Sequence, residues 1–279
     1  MSHPIFPCLW FNNNAKEAAI FYRSVFLGAS SKEENPYVVS FKAGGQKFIL
    51  LNAPSQFSFN PAISIFVVCE SDDEIEQIWS LLSENGQVVM ALDKYPWSDK
   101  FGWLNDRFGL SWQLMKGKLS DVAQKFTPLL MFTGPQQGKA EEAVNFYASI
   151  FKDSKIQGIA RYEAGEGDIE GTIKHAQFNL GESVFMAMDS SMAHKFNFNE
   201  SISFVVECDT QEEIDFYWNK LTAGGEESMC GWLKDKFGVS WQVTPSILPK
   251  LLADPAKAEK VANVFIKMKK FNIEELLNA

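Results

Sequence analysis

The stretch FGWLNDRFGLSWQLM, residues 101–115, decides the fold because it occurs again as CGWLKDKFGVSWQVT, residues 230–244. Three further blocks repeat in the same order: PCLWF at 7–11 and PLLMF at 128–132, AKEAAIFYRSVF at 15–26 and AEEAVNFYASIF at 140–151, FSFNPAISIFVVCES at 57–71 and FNFNESISFVVECDT at 196–210. Self-similarity over most of a chain indicates repeated structural units. The sequence therefore predicts an internal tandem duplication, with a first module at residues 1–125 and a second at 126–279.

Residue spacing predicts the elements of each copy. Apolar residues recur at helical spacing in 15–26 and 140–151, whereas 63–69 and 202–208 are continuous apolar runs typical of buried strands. A hydroxyl followed three residues later by a glutamate is the capping box that opens a helix, and it occurs at Ser71 with Glu74 and at Thr210 with Glu213. The sequence predicts a long loop at Asp93–Asp99. After Pro245 it predicts two helical segments, Ile247–Leu252 and Pro255–Lys270.

Composition excludes several classes of function. The 279 residues carry a formal net charge of −9, which disfavours binding to a nucleic-acid backbone. The sequence shows no signal peptide and no apolar run long enough for a membrane span. Its four cysteines contain no CxxC motif, so we expect a reduced protein in the cytoplasm.

The repeated blocks carry a resemblance. A first strand, a helix ending in FY…F and a late D-x-F-G-x-S-W-Q segment resemble the vicinal-oxygen-chelate superfamily of glyoxalases, bleomycin-resistance proteins and extradiol dioxygenases. Residues 140–151, 196–208 and 231–245, with the tail KAEKVANVFIKMKKFNIEEL from Lys257, are similar to its PhnB-like branch, often labelled 3-demethylubiquinone-9 3-methyltransferase. The resemblance implies an α+β fold of two tandem βαβββ modules with mixed curved sheets around a cavity, plus a C-terminal helical tail. We expect these modules to pair either within the chain or across a homodimer.

The same resemblance locates the metal ligands of metal-using members on the first and last strands of each module. The last-strand positions fall on Gln113 and Gln242. The first-strand positions fall at or beside Pro7 and Pro128, with neighbours Cys8 and Leu129. Amide oxygens alone hold transition metals weakly, and the three histidines (His3, His175, His194) are absent from these positions. We therefore expect no metal and no other cofactor.

The candidate ligand-binding residues come from the repeated late segment and one loop. Asp106 and Asp235 precede Phe-Gly, where an aspartate serves either turn geometry or acid–base chemistry. A glutamine on an apolar strand needs a partner, which is either a neighbouring strand or a ligand, at Gln113 and Gln242. Aromatic rings there line either the core or a cavity: Trp103, Trp112, Trp232 and Trp241. His194 is the best isolated base, although a solvated loop explains it too.

These observations predict a metal-independent protein that binds a small apolar or aromatic molecule. A metal-dependent lyase, isomerase or dioxygenase of the same superfamily is the main alternative, and a scaffold or interaction protein is a third. Methyl transfer is disfavoured, because the only glycine-rich candidate, Gly165-Glu166-Gly167, lies in a polar hairpin loop with no helix after it.

Overall fold

Four β-α-β-β-β units follow one another along the chain, in a computed structural model that describes residues 3–279. Unit 1 contains β1 (Phe6–Asn12), α1 (Ala15–Val25), β2 (Ser30–Asn35), β3 (Val38–Ala43) and β4 (Gln46–Ala53). Unit 2 contains β5 (Ile63–Cys69), α2 (Asp72–Ser83), β6 (Gln87–Tyr95), β7 (Ser98–Asn105) and β8 (Ser111–Lys116). The short helix α3 (Leu119–Val122) joins the two copies.

The second copy repeats this order and adds a tail. Unit 3 contains β9 (Phe126–Phe132), α4 (Ala140–Ile150), β10 (Lys155–Arg161), β11 (Ile173–Leu180) and β12 (Ser183–Asp189). Unit 4 contains β13 (Ile202–Cys208), α5 (Gln211–Leu221), β14 (Glu226–Glu227), β15 (Trp232–Lys234) and β16 (Ser240–Pro245). The tail contains α6 (Leu248–Ala253), α7 (Ala258–Phe265) and α8 (Ile273–Leu277).

Both sheets are shared between the copies. The first sheet has the strand order β14-β15-β16-β13-β1-β4-β3-β2 and combines units 4 and 1. The second sheet has the order β10-β11-β12-β9-β5-β8-β7-β6 and combines units 3 and 2. At their centres β1 runs antiparallel to β13 and β5 antiparallel to β9. The predicted α+β class and duplication are confirmed. Each copy contains the βαβββ unit twice, and the copies pair within one chain.

Local sequence signals explain the helix starts. The Ser71 hydroxyl accepts from the amide of Glu74 at 3.1 Å, while the Glu74 carboxylate accepts from the amide of Glu70 at 2.8 Å. Thr210 and Glu213 make the matching pair of bonds at the start of α5. The predicted capping boxes are thus confirmed in both copies.

Two local predictions were wrong. The expected loop at Asp93–Asp99 is the end of a long hairpin, because β6 runs to Tyr95 and β7 begins at Ser98. In the tail, the helix expected at Pro255–Lys270 covers only Ala258–Phe265, and the third helix, α8, was not predicted. An asparagine cap starts α8, since the Asn272 side chain accepts from the amide of Glu275 at 3.1 Å.

Each sheet has a helix-covered face and an opposite face, here called its cavity face. The main core lies between the long helices and the helix-covered faces of the sheets. Strand residues such as Leu9, Phe11 and Leu50 point toward the helices. Because side chains alternate along a strand, Phe6 and Cys8 point to the cavity face of the first sheet. No helix described for residues 3–279 is long and apolar enough to cross a membrane.

The shared sheets predict that one copy cannot stay monomeric. In a fragment of residues 1–125, β1 would lose β13 and β5 would lose β9, which would expose two apolar strand edges. We expect this fragment to dimerise or aggregate in sedimentation experiments under conditions where the full chain sediments independently of concentration. A folded monomeric fragment would contradict the shared-sheet account.

Candidate functional site

The two predicted aspartates are buried hydrogen-bond acceptors. Asp235 Oδ2 accepts from the hydroxyl of Tyr147 at 2.6 Å and from the indole N–H of Trp241 at 2.8 Å. Its Oδ1 accepts from the amides of Phe237 and Val239 at 2.9 and 3.1 Å. Burial raises the pKa of Asp235 to about 6, against the opposing effect of the four donors. The four donors favour the ionised form, and the oxygens of the carboxyl group are occupied by the protein itself.

Asp106 repeats this arrangement in the first copy. It accepts from Tyr22, from Trp112 and from the amides of Phe108 and Leu110, and burial raises its pKa too. Trp112 and Trp241 thus lie in the core on the helix side, because each indole faces its aspartate. The structure separates these four candidates from the cavity faces.

The glutamines lie on the cavity faces, one per sheet. The Gln113 amide donates to the Ser64 hydroxyl at 2.9 Å, and that of Gln242 to the Ser203 hydroxyl at 2.9 Å. In both cases the serine belongs to the adjacent parallel strand. Trp103 pairs with Gln113 across the ladder, and Trp232 with Gln242. Glutamine and tryptophan therefore share one face in each sheet.

The two cavity faces differ in how completely they are filled. On the cavity face of the second sheet eight buried apolar residues form one cluster, seven from its strands and Val122 from α3: Phe66, Val68, Phe101, Val122, Leu129, Met131, Val184 and Met186. Tyr95, near the turn of the long β6–β7 hairpin, packs against this cluster. The matching face of the first sheet has only Phe6, Cys8 and Val205 in its buried cluster. Its hairpin is short, because β14 and β15 have two and three residues.

An open cleft of about 450 Å³ occupies this less filled face. Its apolar walls include Trp10, Leu51, Phe57 and Trp232. The ring centroids of Trp10 and Trp232 lie 5.6 Å apart, and those of Trp10 and Phe57 6.0 Å apart. A concave site with aromatic walls and a polar rim suits a small organic ligand. Of the predicted residues, Trp232 lines this cleft.

The side chains at the family's metal positions do not fit a divalent transition metal. Leu129 offers no donor atom, and burial raises the pKa of the Cys8 thiol to about 11, partly offset by Gln242 and Ser203. A transition-metal site needs at least three strong protein ligands, and one thiol beside an amide does not supply them. Within residues 3–279 no group of three His, Cys, Asp or Glu side chains is arranged to hold a metal ion.

His194 and the glycine-rich segment lie elsewhere. His194 Nε2 is 2.8 Å from the Ser190 hydroxyl, and its ring centroid is 4.8 Å from that of Phe196. Phe196 packs on the second sheet's cavity face, so His194 is near that face and does not line the cleft. Gly165 and Gly167 lie in the connection between the antiparallel strands β10 and β11.

The cleft residues that sequence reasoning missed include Trp10, Phe57 and Ser240. Trp10 had a detectable signal, since it aligns with Met131 in the repeat and so breaks the similarity of the copies. Phe57 aligns with Phe196 and carries no such signal. Ser240 aligns with Ser111, and only their contacts distinguish the two serines.

The fold and this cavity face define the class of the protein as a duplicated vicinal-oxygen-chelate fold. Glyoxalase I of Zea mays superimposes over 87% of this chain and 92% of its own with a TM-score of 0.58 at 9% identity, a likeness in fold alone. A PhnB protein of Bacillus cereus is 36% identical over 39% of this chain and 96% of its own, with a TM-score of 0.36. No curated protein matches the sequence.

The particular family follows from the sequence model of 3-demethylubiquinone-9 3-methyltransferase, which matches residues 3–115 and again 124–244. The chain belongs to this PhnB-like family. The predicted resemblance is therefore confirmed, and the double match coincides with the internal duplication.

The buried carboxylates predict a large loss of stability on Asp235→Asn. The new amide would direct its own N–H groups at surrounding donors, so we expect the free energy of unfolding to fall by about 3 kcal/mol. Urea denaturation measures this loss. The exposed Asp73→Asn is the control, with an expected change below about 0.5 kcal/mol; equal effects would contradict the role of Asp235.

The raised pKa of Asp235 predicts a pH dependence of definite sign. Between its usual pKa of 3.8 and its native pKa of about 6, the folded chain retains a proton that the unfolded chain has lost. Unfolding then releases a proton, so this group's contribution to stability falls as pH rises from about 4 to 6. The free energy of unfolding is measured with urea at several pH values for the unmodified chain and for Asp235→Asn. The difference between the two isolates the contribution of Asp235, and we expect this difference to fall as pH rises from about 4 to 6. A rising difference would contradict it.

Proposed function

We propose that this chain is a metal-independent binding protein for a small aromatic molecule, with the site in the cleft of the first sheet. The observation that supports this best is the contrast between the cavity faces. One is filled by its own apolar side chains, whereas the other leaves a volume of about 450 Å³ between Trp10, Trp232, Phe57 and Leu51.

Side-chain chemistry supports the same assignment. The second sheet has Leu129, Met131 and Met186 where the first has Cys8, Trp10 and Ile49. Apolar, flexible methionines fill irregular space, whereas tryptophan offers a rigid aromatic surface with a polar edge. The first sheet thus combines apolar walls with polar groups, as ligand sites do.

Metal independence rests on the poor donor set at the family's metal positions. One thiol, Cys8, beside one amide, that of Gln242, supplies fewer strong donors than a transition-metal site needs. The family's printed name attributes methyl transfer to it, but Gly165 and Gly167 follow an antiparallel strand and precede no helix. We therefore propose binding without assigning a reaction.

The test uses 1-aminonaphthalene as an aromatic probe and tryptophan fluorescence as the signal. Trp232→Ala removes one wall of the cleft, so we expect about a tenfold loss of affinity. The matched control is Trp103→Ala, which alters the filled face and should leave the affinity unchanged. Equal losses in both variants would sink the assignment to the first sheet.

Dialysis against a chelator tests metal independence. We expect the affinity for 1-aminonaphthalene to be the same before and after, with elemental analysis showing far less than one metal ion per chain. A different result would support a metal-dependent enzyme of the same superfamily. In that case the chain would contain near-stoichiometric zinc, iron, manganese or nickel, and dialysis would remove both the metal and the affinity for 1-aminonaphthalene.

A further inference from the structure

One hydrogen bond distinguishes the two cavity faces at matched positions. In the second sheet the Trp103 indole donates to the Ser111 hydroxyl at 2.8 Å. The corresponding residues of the first sheet are Trp232 on β15 and Ser240 on the neighbouring antiparallel strand β16. The Trp232 indole makes no hydrogen bond to the Ser240 hydroxyl. The Ser240 hydroxyl is buried and has no partner among residues 3–279. Because an unmet buried hydroxyl is costly, Ser240 marks an incomplete site.

The indole that could satisfy Ser240 lies against another ring. Trp232 is tilted 56° to Trp10, with ring centroids 5.6 Å apart, and Trp10 corresponds to a methionine in the other sheet. Both rings and Ser240 line the same cleft. The cleft therefore presents two aromatic surfaces together with one unpaired hydroxyl.

The charged rim of the cleft has an excess of carboxylate. Lys234 pairs with Glu200 at 2.5 Å, and Lys269 approaches Glu227 at 3.4 Å. Glu226, also at the cleft, has no ion-pair partner among the described residues. One negative charge therefore remains on the lining of the cleft that Trp10 and Trp232 share, and indole faces attract cations.

We propose that the cleft selects planar aromatic cations that carry an N–H donor, such as protonated amino-substituted heteroaromatic rings. Trp10 and Trp232 contact the ring, the Ser240 hydroxyl accepts the ligand N–H, and Glu226 contributes the electrostatic preference. This assignment rests on the proposed binding function and specifies its ligand class.

The experiment compares two probes of nearly equal shape. At neutral pH 4-aminoquinoline is a cation protonated on its ring nitrogen, whereas 1-aminonaphthalene is neutral. We expect 4-aminoquinoline to bind about tenfold more tightly, in the range of a cation–π contact with a charge nearby. Glu226→Gln should reduce this preference by lowering the affinity for 4-aminoquinoline more than that for 1-aminonaphthalene.

Serine variants in the two copies should show opposite effects. Ser240→Ala removes the acceptor for the ligand, so the affinity for 4-aminoquinoline should fall about fivefold, while Tm should not fall because no internal bond is lost. Ser111→Ala should lower Tm by removing the Trp103 bond and leave the affinity unchanged. Retained Tm in Ser240→Ala also shows that the variant folds.

The outcomes separate the two proposals. Equal affinity for both probes, insensitive to Ser240→Ala but reduced by Trp232→Ala, overturns the ligand class and leaves the binding function intact. If neither probe binds, or if Trp232→Ala changes nothing, both proposals fail. A fall in Tm for Ser240→Ala as large as that for Ser111→Ala would show that Ser240 is already bonded within the protein and would overturn its role.

Discussion

The fold depends on two buried carboxylates, Asp106 and Asp235. Each lies in a turn of one sheet and accepts a hydrogen bond from a tyrosine on a helix that packs on the other sheet. Asp106 belongs to the turn before β8 in the second sheet, while its partner Tyr22 lies on α1, which packs on the first sheet. Asp235 and Tyr147 make the reciprocal connection. A buried carboxyl group is tolerated in the core only when its lone pairs are satisfied, and here four donors surround each one. The sheets are thus fixed relative to each other by polar contacts inside an apolar core.

Because these contacts lie on the helix-covered faces, the cavity faces are not needed to hold the two sheets together. The helices and the turns that contain Asp106 and Asp235 fix the positions of the sheets. Residues on the cavity faces can therefore differ between the copies without loss of the fold. The second sheet uses this freedom to pack methionine and phenylalanine under a long hairpin. The first sheet shortens the equivalent hairpin and retains a cleft.

Much of the architecture was predictable because it depends on local patterns. Helical spacing, apolar runs and capping boxes located the principal helices and buried strands, and the repeat revealed the duplication. A loop was predicted at 93–99 because this tip of the β6–β7 hairpin lacks strand-like alternation, and α8 is too short to show a helical period. Candidate site residues were predicted less well. Trp232 was found from the repeat, but the pairing state of Ser240 depends on where the Trp232 indole lies. That is a tertiary property with no counterpart in sequence spacing.

Covalent linkage of the copies has a consequence for how such a protein diverges. In an assembly of two identical chains, every substitution is imposed on both halves by symmetry, so an improvement to one pocket must also be tolerated in the other. Here Trp10 and Met131 occupy equivalent places yet are encoded separately. A single change therefore acts once, and one sheet can specialise in recognition while the other serves as its rigid support.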